Sequence, residues 1–141
     1  MLAVEKGHLE IVKALLDHEE INVNLKDIDG DSALILAAKK GNLKIVKIIL
    51  KHPRIDVNLQ NKDGDTALIL AGDQGHLKCV KALLERQEIN VNLQNADGDT
   101  ALILAAEKGH LEIVKAIQYR EAAKKKYKEI VNLIRLKKRK V

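Results

Sequence analysis

The sequence contains no Trp and no Phe, and Tyr119 and Tyr127 are its only tyrosines. With 141 residues and 46% apolar content the chain is long enough for one domain, yet its core has to be built from Ala, Leu, Ile and Val. Small and branched aliphatic side chains suit helices stacked about 8–10 Å apart, where each contact buries a thin layer. A single cysteine, Cys79, excludes any disulfide within the chain. No apolar run approaches the roughly 20 residues a bilayer-crossing helix needs. The first residues form neither a charged n-region nor a hydrophobic leader, so the expected location is the cytoplasm. Gly-x-x-x-x-Gly-Lys, Gly-x-Ser-x-Gly and His-Glu-x-x-His are all missing. The expectation is a protein that is not an enzyme and needs no cofactor and no metal.

What is present is a period. Gly7-His8-Leu9, Gly41-Asn42-Leu43, Gly75-His76-Leu77 and Gly109-His110-Leu111 stand 34 residues apart, as do Asp29-Gly30-Asp31, Asp63-Gly64-Asp65 and Asp97-Gly98-Asp99. Such a unit cannot bury its apolar face alone and must stack on its neighbours, which gives a solenoid used for surface recognition. Within each unit Ser32, Thr66 and Thr100 precede an apolar stretch and are placed to cap a first helix. Gly41, Gly75 and Gly109 follow that helix where a left-handed residue is wanted. In the second helix Leu43, Val46, Ile49 and Leu50 fall at i, i+3, i+6 and i+7, one apolar stripe with Lys44, Lys47 and Lys51 outside it. Cys79 takes the position held by Ile11, Ile45 and Ile113, and is expected as a small buried hydrophobe.

One unit reads Asn61-Lys62-Asp63-Gly64-Asp65-Thr66-Ala67-Leu68-Ile69, then Ala71-Gly72-Asp73-Gln74-Gly75-His76-Leu77-Lys78-Cys79-Val80-Lys81-Ala82-Leu83-Leu84, then Val91-Asn92. This closely resembles the ankyrin repeat, and the match recurs over residues 1 to about 118. The resemblance implies an all-α solenoid of stacked helix-turn-helix repeats joined by hairpin turns. It divides the chain into a partial repeat 1–28, repeats 29–62, 63–96 and 97–118, and a remainder 119–141. Ala33, Ala67 and Ala101 stand where the family has Pro, which the helix tolerates because Ala is the best helix former. Ile35, Ile69 and Ile103 stand where it has His, exchanging a polar link for apolar burial. The residue by which each unit exceeds the common 33 is expected in the loop after the second helix.

The resemblance also implies a non-catalytic module that grips a protein partner on a concave wall of hairpin tips and first helices. Carried over residue by residue, the wall comprises Ile28, Asp29 and Asp31 with Lys39 and Lys40. It continues through Lys62, Asp63 and Asp65 with Asp73 and Gln74, then Ala96, Asp97 and Asp99 with Glu107 and Lys108. Six aspartates would line the tips in two rows, and their summed field would favour a basic partner. The positions that differ between repeats, Ile28, Lys62 and Ala96 and the pairs that follow, are where specificity is expected.

Two metal readings fail on spacing. His8, His76 and His110 occupy repeats about 10 Å apart, whereas zinc ligands share one ion at about 2.0–2.1 Å; each imidazole is expected to satisfy backbone at its own helix junction. Asp27-Ile28-Asp29-Gly30-Asp31 suggests a calcium loop, but Gly30 is fourth where an EF-hand needs Gly sixth, and Ala38 stands where it needs Glu twelfth. A turn whose side chains bond their own backbone accounts for all three copies.

Charge is unevenly placed. Residues 1–118 carry 15 Lys and Arg against 18 Asp and Glu, a net of −3, while residues 119–141 carry 10 against 2, a net of +8. Ala123, Tyr127, Ile130, Val131 and Ile134 recur at i, i+4, i+7, i+8 and i+11 among these bases, an amphipathic helix expected to dock as a cap over the last repeat. The alternative is a basic-tailed adaptor whose helix binds anionic membrane or nucleic acid, with Lys137-Lys138-Arg139-Lys140 as a nuclear address. Met1-Leu2-Ala3 align with Ile35-Leu36-Ala37, so the chain opens inside a first helix and reads as a fragment of a longer array. The apolar side so exposed, residues 1–16, is expected to pair weakly with a second copy.

Overall fold

A computed structural model gives the fold and describes residues 1–139. Lys140, the last member of the basic run, lies outside the described residues. Eight helices form four pairs among them: α1 (Leu2–Glu5) with α2 (Leu9–Leu16), α3 (Ala33–Lys40) with α4 (Leu43–Leu50), α5 (Ala67–Gln74) with α6 (Leu77–Leu84), and α7 (Ala101–Glu107) with α8 (Leu111–Arg139). The described residues contain no strand. First helices pack in one layer, α1 on α3 on α5 on α7, and second helices in another, α2 on α4 on α6 on α8.

Local chemistry sets the helix bounds. The hydroxyls of Ser32, Thr66 and Thr100 accept from the amides of Ile35, Ile69 and Ile103 at 3.2, 3.0 and 3.2 Å, closing the first turn of α3, α5 and α7. Gly41 and Gly75 end α3 and α5 at φ 72° and 79°, a left-handed conformation that glycine takes without a Cβ clash. Asn42 caps α4 through its side chain, which His8 and His76 at the same position of other repeats do not do.

The core is a continuous aliphatic strip through the interfaces between repeats, with Leu34, Ile35, Ile45, Ile49, Leu68, Ile69, Leu83 and Ile113 fully buried. Cys79 is buried among them, and that burial pushes its thiol up from the ordinary value. Position in the stack decides exposure. Ile35 and Ile69 are 1% exposed and their counterpart Ile103 is 40%, because among the described residues no further helix pair packs on the outer side of α7. At the other end Ile11 and Leu15 are exposed while their counterparts Ile45 and Ile49 are buried.

The helix expected as a separate cap is neither separate nor docked. α8 runs without a break from Leu111 to Arg139, so residues 119–139 prolong the second helix of the last repeat. From Ala122 to Arg139 every residue except Val131 is exposed. Nothing between Leu111 and Arg139 stops the helix: the segment holds no Gly and no Pro.

Candidate functional site

Three hairpins, at residues 27–31, 61–65 and 95–99, share one geometry. The side-chain oxygen of the first residue accepts from two backbone amides of its own turn: Asp27 from Asp29 and Asp31, Asn61 from Asp63 and Asp65, Asn95 from Asp97 and Asp99, all at 2.9–3.0 Å. Each turn closes through a left-handed glycine. A Cβ on Gly30 would sit 2.8 Å from the Lys62 amide nitrogen, and one on Gly64 2.9 Å from that of Ala96. Those approaches are hydrogen-bonded contacts between successive tips, in which Lys62 N–H donates to the Asp29 carbonyl and Ala96 N–H to that of Asp63.

The six aspartates separate into two chemistries. Asp29, Asp63 and Asp97 are exposed at the tips. Asp31 is buried and Asp65 half-buried, and their carboxylates accept from the side-chain amides of Asn61 and Asn95 at 2.8 and 3.0 Å. Asp99, equivalent to both, is half-buried. Asp31 and Asp65 are therefore not free acidic surface but part of the joint between hairpins, a role with no counterpart at Asp99. Burial raises the Asp65 carboxyl above its ordinary value, against the hydrogen bond from Asn95 and with the charges of Asp63, Asp73 and Asp31 adding to the rise. With this row withdrawn, the exposed acids of the wall are Asp29, Asp63, Asp97 and Glu107, matched by the exposed lysines Lys39, Lys40, Lys62 and Lys108. The acidic field expected to favour a basic partner is correspondingly smaller.

The remaining wall residues lie where the repeat pattern puts them. Ile28 is 83% exposed, and Lys62 and Ala96 are exposed at the equivalent points of the next two tips. Lys39, Lys40, Gln74, Glu107 and Lys108 are exposed at the ends of the first helices, while Asp73 is half-buried and meets Lys108 at 3.4 Å. Asp27, Asp29 and Asp31 bring oxygens within 4.8 Å of one another. Those of Asp27 and Asp31 already hold turn amides and Asn61.

The family model of ankyrin repeats in three copies matches residues 1–61 and 52–129. The chain belongs to the ankyrin-repeat family. A search of curated proteins finds no match.

The ankyrin stack is also tied by polar links that the period alone did not expose. His76 and His110 do not serve their own helix junctions: their Nε2 atoms lie 3.0 and 3.1 Å from the carbonyls of Lys39 and Asp73, one repeat back. A carbonyl only accepts, so each imidazole carries its proton on Nε2. Arg86 donates to the Leu50 carbonyl and Arg120, 34 residues on, to that of Leu84 at 2.9 Å and of Arg86 at 3.0 Å. The Leu50 and Leu84 carbonyls each end a second helix, where no backbone donor is left for them. The signal for this ladder was in the sequence, since Arg86 and Arg120 share one register, although His18 and His52 earlier in that register accept instead from the local amides of Glu20 and Arg54. Asn24 and Asn58 form another ladder, each accepting from an amide of the next repeat, Asp56 and Asn90, at 2.8 Å. Arg86 also holds Glu88 at 2.7 Å and lowers its carboxyl.

Proposed function

We propose that the chain is a non-catalytic module that holds a protein partner across its hairpin tips and the ends of its first helices. One observation carries this reading: the tip and helix-end residues that differ between repeats are exposed, while much of the recurring polar chemistry is engaged inside the stack. Asp31 and Asp65, Asn61 and Asn95, and the capping hydroxyls are engaged in hydrogen bonds. Ile28, Lys62 and Ala96, and the pairs Lys39-Lys40, Asp73-Gln74 and Glu107-Lys108, differ between repeats and face outward apart from Asp73. A surface whose chemistry changes from tip to tip reads a partner by sequence of contacts, with apolar Ile28 at one end as the anchor and mixed charges beside it.

The test compares partner retention by the intact protein and by an Ile28→Glu, Lys62→Glu, Ala96→Arg variant. All three side chains are exposed, so the variant keeps its melting temperature and loses the partner. Retention of every partner by this variant, together with its loss on removal of residues 122–141, assigns recognition elsewhere.

The same reading includes a weak contact with a second copy through residues 1–16, where Leu2, Ile11 and Leu15 are exposed. Sedimentation over a concentration series shows a rising average mass if the contact forms and a constant monomer mass if it does not.

A further inference from the structure

The part of the molecule that the partner-binding reading leaves unused is the free length of α8. Ala123, Tyr127, Ile130, Val131 and Ile134 share an arc of roughly 100° on this helix. Tyr127, Ile130 and Ile134 are 68, 47 and 51% exposed, so the stripe is open beyond its first turn, where Ala123 and Tyr127 border a surface cleft with Leu84 and Arg86. Lysines and an arginine border it on both sides, Lys124, Lys128 and Arg135 along one edge and Lys126 and Lys137 along the other. Glu129 lies on the face opposite the stripe, and Glu121 is tied to Arg120 at 2.9 Å. Leu133 and Leu136 also fall outside the stripe.

We propose that this segment lies lengthwise on an anionic lipid surface, with the stripe among the acyl-chain ends and the bordering bases among the phosphates. No helix among the described residues is long and apolar enough to cross a bilayer, so the mode is in-plane. Two features of the helix select lipid over other occupants. A second copy packed along the stripe would set lysine against lysine on both borders, since the two glutamates stand off it. A duplex nucleic acid answers the charge but has no apolar surface for Tyr127, Ile130 and Ile134. A bilayer interface takes both at once, and a tyrosine beside lysines suits the boundary between headgroup and acyl chain. The uneven charge gives the molecule a heading: residues 119–141, at +8, are drawn to the surface while the repeats, at −3, are not.

The experiment uses the full chain carrying Tyr127→Trp, which is then the sole tryptophan. Vesicles of phosphatidylcholine with phosphatidylserine, vesicles of phosphatidylcholine alone, polyglutamate and duplex DNA are titrated separately. The expected result is a blue shift and co-sedimentation with the anionic vesicles, weakening as salt is raised. Ile134→Asp in the same background lowers partitioning by about tenfold or more. Ile134 touches no part of the stack, so the melting temperature of that variant stays where it was, which separates lost docking from lost folding. An equal response to both kinds of vesicle, no response to either, or undiminished binding by Ile134→Asp overturns the proposal. A shift with polyglutamate or DNA and none with vesicles overturns it too, and gives the helix an acidic polymer as its ligand.

Discussion

Gly64 and Gly98 have almost the same backbone, φ 78° and 81°, and different surroundings. A Cβ on Gly64 meets the Ala96 amide at 2.9 Å, and one on Gly98 meets nothing within 4 Å. Gly98→Ala is expected to cost only the left-handed penalty of about 1–2 kcal/mol. Gly64→Ala adds the loss of contact between tips and should cost about 1–2 kcal/mol more. Urea unfolding of the two variants measures the difference, and equal costs would mean that the tips do not support one another. Asp65 makes a pH prediction. Its folded pKa is raised above the ordinary 3.8, so its contribution favours the fold below that value and is lost as pH rises through the folded pKa. Asp65→Asn keeps an oxygen for Asn95 and removes the buried charge. It should be at least as stable as the parent at pH 7, with the gap closing as the pH approaches 4 in thermal melts. The Glu88 carboxyl has the reverse sign: its stabilisation is present above 4.5 and is lost as pH falls through its lowered value. The capping role of Ser32, Thr66 and Thr100 was legible because a cap and its amide are three residues apart. The burial of Asp31 was not, because its partner Asn61 is 30 residues away and both residue types are common in turns.

At the scale of the helix, interior position matters more than composition. Leu83 is fully buried in α6, which packs between α4 and α8. Leu83→Ala should therefore cost about 2–5 kcal/mol. Equilibrium denaturation checks this, and a loss under about 1 kcal/mol would remove Leu83 from the core. Arg120→Ala leaves the Leu84 carbonyl without its donor and the Arg86 carbonyl with only the Ile89 amide at 3.4 Å. It should cost about 1–3 kcal/mol, with exchange of amides at the end of α6 speeding up more than those of α4. Helix starts and stops were readable from Ser, Thr and Gly at fixed offsets, and the four helix pairs follow that punctuation. Continuation of α8 was readable too, from the lack of any stop signal after Leu111. It was obscured by the family pattern, in which a second helix ends after about eight residues, as α4 and α6 do. Exposure of Ile103 belongs to a third kind of information. Its local sequence matches that of Ile69, and only the count of repeats separates a covered position from an open one.

For the molecule as a whole, the stack and the free helix should differ in how they open. Residues 122–139 make a single helix about 27 Å long with no second element packed on it. An isolated helix of that length is marginal in water. Amides from Tyr127 to Ile134 should then exchange far faster than those of α6, and protection equal to that of α6 would mean that the segment is covered in solution. Continuity of α8 has a mechanical consequence as well. With no glycine or proline to bend at, the angle about the helix axis is transmitted from Ile117, gripped by the stack, to Ile134, free of it. The helix is a keyed shaft. One alanine inserted between Ala122 and Ala123 turns everything beyond it by about 100°, while seven inserted residues restore the setting to within about 20°. Whatever seizes the far end thereby sets the compass bearing of the tips, and a one-residue insertion should misdirect them while leaving each half intact.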